Sequence, residues 1–245
     1  MSRSLQSFNG KVRSLKIHVQ LADVAFTRIN RFCSRRRGNG KTVGETLGTT
    51  NAKHPQLNEP NESKEISRIF ATSRIKINEQ AIIELYAFFA DYLSSVIREM
   101  EGVNPNRILG IVPPDSPTNL SFKDVFSLGN YPAILDEIAR RVFRSLENER
   151  STPNLLKKFI KATKLNVPVN LRGDALVYLE IRHLIIHNNS KADDKFNALN
   201  NRGLVSVNVR NKKVIINYNL SNAAIDAVTA LCQSIDSELV RLGFI

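Results

Sequence analysis

Two histidines four residues apart, with an arginine directly before the first, are the residues of this chain best suited to chemistry: Arg182, His183 and His187. The chain has 4 histidines in all, and two of them fall in the single run Arg182-His183-Leu184-Ile185-Ile186-His187. On an ideal helix the two imidazoles stand about 40° apart, and Arg182 about 100° from His183. An imidazole side chain can take a proton from a ribose 2′-hydroxyl, or return one to a leaving 5′-oxygen, at neutral pH. A guanidinium can hold the scissile phosphate by two parallel hydrogen bonds and stabilise the added charge of a phosphorane. These residue types suit RNA cleavage without a metal ion. The competing reading of the same three residues is a buried ion-pair and hydrogen-bond cluster that fastens a central helix.

The element that carries them must be that central helix. From Asp174 to His187 the apolar residues Leu176, Val177, Leu179, Ile181, Leu184, Ile185 and Ile186 surround nearly the whole circumference, the pattern of a buried helix. An arginine there must meet a carboxylate such as Glu180 or Asp174, or face a cleft or interface that admits phosphate. The helix is predicted to end just after His187, at Asn188-Asn189-Ser190.

Other helices must surround it. Val12, Leu15, Val19, Ala22, Phe26, Ile29 and Cys33 alternate steps of three and four, as do Ile82, Tyr86, Phe89, Leu93, Val96 and Met100. This spacing predicts helices over Val12 to Cys33 and Glu79 to Glu101, packed on one another. Residues 102 to 131 hold Pro105, Pro113, Pro114 and Pro117 and are predicted to be a long surface connection,. Periodicity resumes from Pro132 to Glu149. A short basic helix follows, Leu155 to Lys164, whose Lys157, Lys158 and Lys161 either face phosphates or form a solvated face. After the motif helix, Val205 to Val209 and Val214 to Tyr218 read as two strands joined by the turn Arg210-Asn211-Lys212-Lys213,. A last helix carries Ile225, Val228, Cys232, Ile235, Leu239 and Leu242. The expected fold is an all-α antiparallel helical bundle with a small β-hairpin between the motif helix and the C-terminal helix. It divides into an N-terminal helix (1–33), a mobile basic loop (34–63) and the helical domain proper (64–245).

The net charge of +12 is uneven: residues 1–60 hold 11 Lys/Arg against 3 Asp/Glu, and residues 61–245 hold 24 against 20. Such a chain meets polyanions readily, and Arg35, Arg36 and Arg37 in the loop are candidate RNA contacts. Gly38-Asn39-Gly40-Lys41-Thr42 has the look of a phosphate loop. However, the first glycine of that pattern would fall at Arg35, and a helix rather than a strand precedes it. Cys33 and Cys232 have no metal-ligand spacing and fit reduced core thiols, so neither a metal nor another cofactor is expected. The N-terminus lacks an apolar signal stretch and no uncharged run approaches membrane-spanning length, which predicts a cytoplasmic protein without a membrane partner.

A bare Arg-x4-His pair arises easily by chance in a basic chain, but the surrounding run is more specific. Glu180-Ile-Arg-His-Leu-Ile-Ile-His-Asn-Asn-Ser-Lys-Ala-Asp-Asp-Lys-Phe196 resembles the motif block of the HEPN superfamily. In that motif an Arg is followed by a polar residue, three more residues and a His. The likeness is to the larger families grouped with RNase L-like and prokaryotic defence proteins, over Leu176 to Phe196. Ser190 stands where many relatives carry Gly, and no Tyr stands two residues after His187, so the toxin subfamily marked by that Tyr is not assigned. The resemblance implies a metal-independent endoribonuclease, toxin-like or anti-phage, leaving a 2′,3′-cyclic phosphate and a 5′-hydroxyl. Arg182 would orient the phosphate, His187 would be the general acid or base, His183 would position them, and Asn188 would contact RNA. It also implies a homodimer through the motif helix, and an antitoxin or activator protein as a further partner. The alternatives are a catalytically inactive HEPN module that binds RNA or a protein, and a basic nucleic-acid-binding bundle unrelated to HEPN.

Overall fold

The computed structural model describes residues 1–35, 42–49, 52–59, 63–103, 120–147, 152–202 and 205–245. In chain order these form α1 (Arg3–Arg35), α2 (Val43–Leu47), a 3-10 turn (Pro55–Asn58), α3 (Ser63–Val103), α4 (Phe122–Leu128) and α5 (Tyr131–Glu147). Next come α6 (Thr152–Thr163), α7 (Val169–Asn188), α8 (Asp194–Asn200), β1 (Val209–Arg210), β2 (Lys213–Val214) and α9 (Tyr218–Arg241).

A helix with one apolar seam is stable only when a partner covers that seam. α1 and α3 cover each other along an antiparallel pair, with Phe8 against Tyr92 at one end (5.6 Å between ring centres) and Phe26 against Phe70 at the other (6.4 Å). Arg74–Asp23 (2.6 Å) and the Lys11–Asp91 ion pair sit along the same edge. α9 lies against both: the Tyr92 hydroxyl donates to the Cys232 carbonyl (3.0 Å), and Lys16 pairs with Asp226 (2.9 Å). Asp236, buried on α9, accepts hydrogen bonds from the backbone N–H and hydroxyl of Ser2, which stitches the start of α1 to the end of α9. α7 fills the remaining side of the bundle, burying Ala175, Val177, Leu179, Ile181 and Leu184 against α3 and α9. The fold is thus an all-α antiparallel bundle with one two-stranded hairpin between α7 and α9.

By length and composition alone, Ser67–Val103 could cross a bilayer. Here it is the helix against which α1, α5, α7 and α9 all pack.

Three expectations are corrected. α3 begins at Ser63 rather than Glu79. Its start meets α1 and α2 through the single ring of Phe70, against Phe26, Cys33 and Val43, a narrow seam that leaves a weak periodic signal,. Within residues 34–63, where composition predicts only a loop, α2 forms behind a capping box of Thr42 and Glu45, with Gly48 in the left-handed conformation at its end (φ 71°),. Val43 anchors it to Cys33 and Phe70. α2 meets the 3-10 turn so closely that a Cβ on Gly44 would fall 2.2 Å from Asn58 Oδ1. The hairpin strands are two residues each, shorter than the alternation suggests. The Val207 backbone is taken up by the Asn200 side chain, and Asn217 serves as the N-cap of α9, so neither is free to extend a ladder.

Glu101, in the last turn of α3, is 5% exposed, and its Oε1 has no hydrogen-bond partner among the described residues. Burial, and then Asp136, push its carboxyl up to about 7, against the opposing pull of Arg98,. The folded chain therefore holds this proton more tightly than the unfolded one. The resulting stabilisation is complete below the ordinary carboxylate range and is lost as pH rises through about 7,. Glu101→Gln keeps the shape and cannot ionise. It is expected to melt above the wild type at about pH 8 and together with it at about pH 4, as read by thermal denaturation at the two pH values.

Candidate active site

The motif residues occupy the last two turns of α7. Leu184 is fully buried there and Ile185 half-buried, so the helix is pinned by its apolar side and turns Arg182, His183, Ile186 and His187 outward. The two imidazoles lie together, 4.8 Å between ring centres and tilted by 44°, and both are exposed. Arg182 is half-buried, with its guanidinium 4.9 Å from the centre of the Tyr86 ring on α3. A cation over an aromatic face is held by the ring's electrostatic attraction and keeps its N–H groups for an acceptor.

Arg182 forms no ion pair among the described residues. Glu180, one of its two expected carboxylate partners, is buried and receives the Lys195 ammonium at 2.6 Å instead. Lys195 reaches it because α8 folds back on α7. Asp193 caps α8 by accepting the Phe196 N–H (2.7 Å), and Phe196 is fully buried beneath. The Asp, Lys and Phe of the sequence run are therefore a structural latch around Glu180, which leaves the guanidinium of Arg182 unclaimed by that carboxylate.

The turn after α7 is equally well defined. Asn189 and Ser190 both have positive φ (49° and 61°), and the Ser190 N–H donates to the Leu184 carbonyl (2.9 Å), closing the helix end,. The Ser190 hydroxyl donates to Glu79 on α3 (3.3 Å). Position 190 is one where a glycine would sit without backbone strain,. The Asn188 amide donates to the Lys191 carbonyl (2.7 Å), which ties this side chain to the turn.

Comparisons with protein-family models, curated proteins and solved structures found no match.

Of the other expected contacts, Lys157 and Lys161 are exposed on α6, and Lys158 is exposed but engaged in an interaction. α6 packs on α7, and no hydrogen bond or ion pair among the described residues joins Lys157 or Lys161 to Arg182, His183 or His187. Arg35 is the last residue of α1, and Arg36 and Arg37 lie outside the described residues. His54 precedes the 3-10 turn without a side-chain cap bond. His18 lines a groove of about 610 Å³ between α1 and α3, with Lys11, Glu84 and Phe88. That groove, and two others of about 600 and 470 Å³, contain none of the motif residues. His183 and His187 are exposed and Arg182 half-buried, so water reaches all three side chains.

Sequence reasoning missed Tyr86 as the support of Arg182, because it stood in the apolar stepping of its own helix and read as core. It also missed Lys195 as the partner of Glu180, fifteen residues away and in another helix, for which no local spacing rule exists.

Proposed function

We propose that this chain is a cytoplasmic, metal-independent endoribonuclease of HEPN type, a toxin-like or anti-phage effector. The observation that carries the reading is the convergence of Arg182 with two exposed imidazoles at one helix end, while the buried carboxylate of that helix is neutralised by Lys195. In the reaction, one imidazole takes the proton of a ribose 2′-hydroxyl and O2′ attacks the adjacent phosphorus. Arg182 holds the non-bridging oxygens as charge builds on the phosphorane. The bond from phosphorus to O5′ breaks, and O5′ takes a proton from water as it leaves, giving a 2′,3′-cyclic phosphate and a 5′-hydroxyl. His187 is assigned the acid–base role and His183 the task of positioning it.

An open face exposes the reacting groups to water, so the reading includes a homodimer in which a second copy of α7 covers it and closes the groove. The open face also favours a second reading, a HEPN module that holds RNA or a protein without cutting. An antitoxin or activator protein completes the partners of the first reading.

The test is incubation of mixed single-stranded RNA with purified protein in excess EDTA, with Arg182→Ala alongside. Fragments ending in a cyclic phosphate, absent with the folded variant, are expected. Cutting that persists in Arg182→Ala means the site lies elsewhere, and a folded dimer that cuts no RNA favours the binding module.

A further inference from the structure

The hairpin next to the motif is built against its own stability. In the two-residue turn of β1 and β2, Asn211 and Lys212 both take positive φ (51° and 61°), a geometry whose second position is best filled by glycine. Here it holds a lysine. Arg210 stands directly opposite Lys213 across the hairpin. Lys213 in turn stands directly opposite Lys191, in the segment that leaves the end of α7. The Ala192 N–H donates to the Lys212 carbonyl (2.8 Å) and the Val214 N–H to the Ser190 carbonyl (2.9 Å), so this is a close, non-hydrogen-bonded pair,.

Residues directly opposite on neighbouring strands point to the same face. Lys191, Lys213 and Arg210 therefore form a row of three cations spanning about 10 Å, with Lys212 at the tip. All four are exposed, and none forms an ion pair among the described residues. Like charges directly opposite destabilise a sheet, and folding alone would favour a carboxylate or a threonine in the middle of the row. An arrangement that opposes folding at three adjacent points, four residues beyond His187, is accounted for by an anion that bridges the row.

We propose that Lys191, Arg210, Lys212 and Lys213 bind the phosphate backbone of RNA and hold the strand across the end of the motif helix. The inference rests on the reading above for its choice of RNA as the anion. It makes these residues positioning contacts with no part in proton transfer, and it places RNA binding on the hairpin rather than on α6.

The test reads binding apart from cutting. A labelled single-stranded RNA is titrated by fluorescence anisotropy, in the His187→Ala background, at several salt concentrations. The test variant carries Lys191→Gln, Arg210→Gln, Lys212→Asn and Lys213→Gln; asparagine is chosen because it tolerates the left-handed backbone. A control removes four exposed cations elsewhere, Arg13, Arg28, Lys53 and Lys123, each to Gln. Loss of four phosphate contacts is expected to lower the slope of log affinity against log salt by about 2.8, and to weaken affinity at least about tenfold at moderate salt, with the control much less affected. An unchanged slope, an equal loss in the control, or no RNA binding by the parent overturns the proposal, as does binding only to phosphatidylserine vesicles. A wild type that binds RNA through this row but never cuts it removes the ribonuclease reading and leaves the row in place. A wild type that cuts, with the row variant binding and cutting equally well, does the reverse.

Discussion

Replacing His187 with alanine is expected to slow cleavage of single-stranded RNA in EDTA by about 10²–10⁴-fold, with almost no change in stability. The imidazole is exposed, and its ring contact is with the equally exposed His183. Its removal therefore opens no cavity, and a surface change of this kind stays within about 0.5 kcal/mol. A structural role would give the opposite pattern, a lower melting temperature with activity falling only in proportion to the folded fraction. His183→Ala is expected to cost less than His187→Ala, because the proposed reaction gives His183 only the positioning of the ring that transfers the proton. Arg182→Lys is expected to remain slow: a lysine keeps the charge but cannot present two parallel donors to a phosphate. Single-turnover rates for the three variants, beside their melting curves, make the check. A His187→Ala enzyme that cuts at the wild-type rate would remove that residue from the chemistry.

The largest loss of stability is expected at Phe196, whose replacement by alanine should cost about 3–5 kcal/mol. The ring is fully buried on a helix of only seven residues, and such a helix has little stability of its own,. Its place in the fold comes from that ring, from the Asp193 cap and from the Lys195–Glu180 pair. Without the ring α8 loosens, Lys195 drifts, and Glu180 is left buried with its charge uncompensated. Urea denaturation gives the free energy directly. A cost under about 1 kcal/mol would mean that α8 is not docked as described.

The link between this latch and the site gives Phe196→Ala a second reading in activity. With α8 loosened, the turn that closes α7 directly after His187 loses its anchor, and the side chains at that helix end lose their fixed geometry. Activity measured at a temperature where the variant is still folded is therefore expected to fall as well, and by less than in Arg182→Ala.

The helices at both ends of the chain were legible because Val12 to Cys33 and Ile225 to Leu239 repeat an apolar residue every three or four positions. That period marks a helix buried on one side, whatever covers it. Arg182, His183 and His187 were legible for a related reason: polar groups on an apolar helix oppose burial and ask for an explanation. Less regular signals were misread. The start of α3 meets α1 and α2 through the single ring of Phe70 and shows little period, and α2 is held by one capping box and the single anchor Val43. The Val205 to Val209 alternation suggested a full strand, but Asn200 had already claimed the Val207 backbone.

By itself the sequence determined the all-α class, the order of its main helices, and a cluster of one guanidinium and two imidazoles at one helix end, because each follows from periods and spacings within a few residues. Only the tertiary structure decided that Lys195 neutralises Glu180, that Tyr86 supports Arg182, and that Lys191, Lys213 and Arg210 stand in one row. Those three facts join residues distant in the chain. Their energies come from burial, from ring stacking and from strand register, none of which exists before the chain has folded.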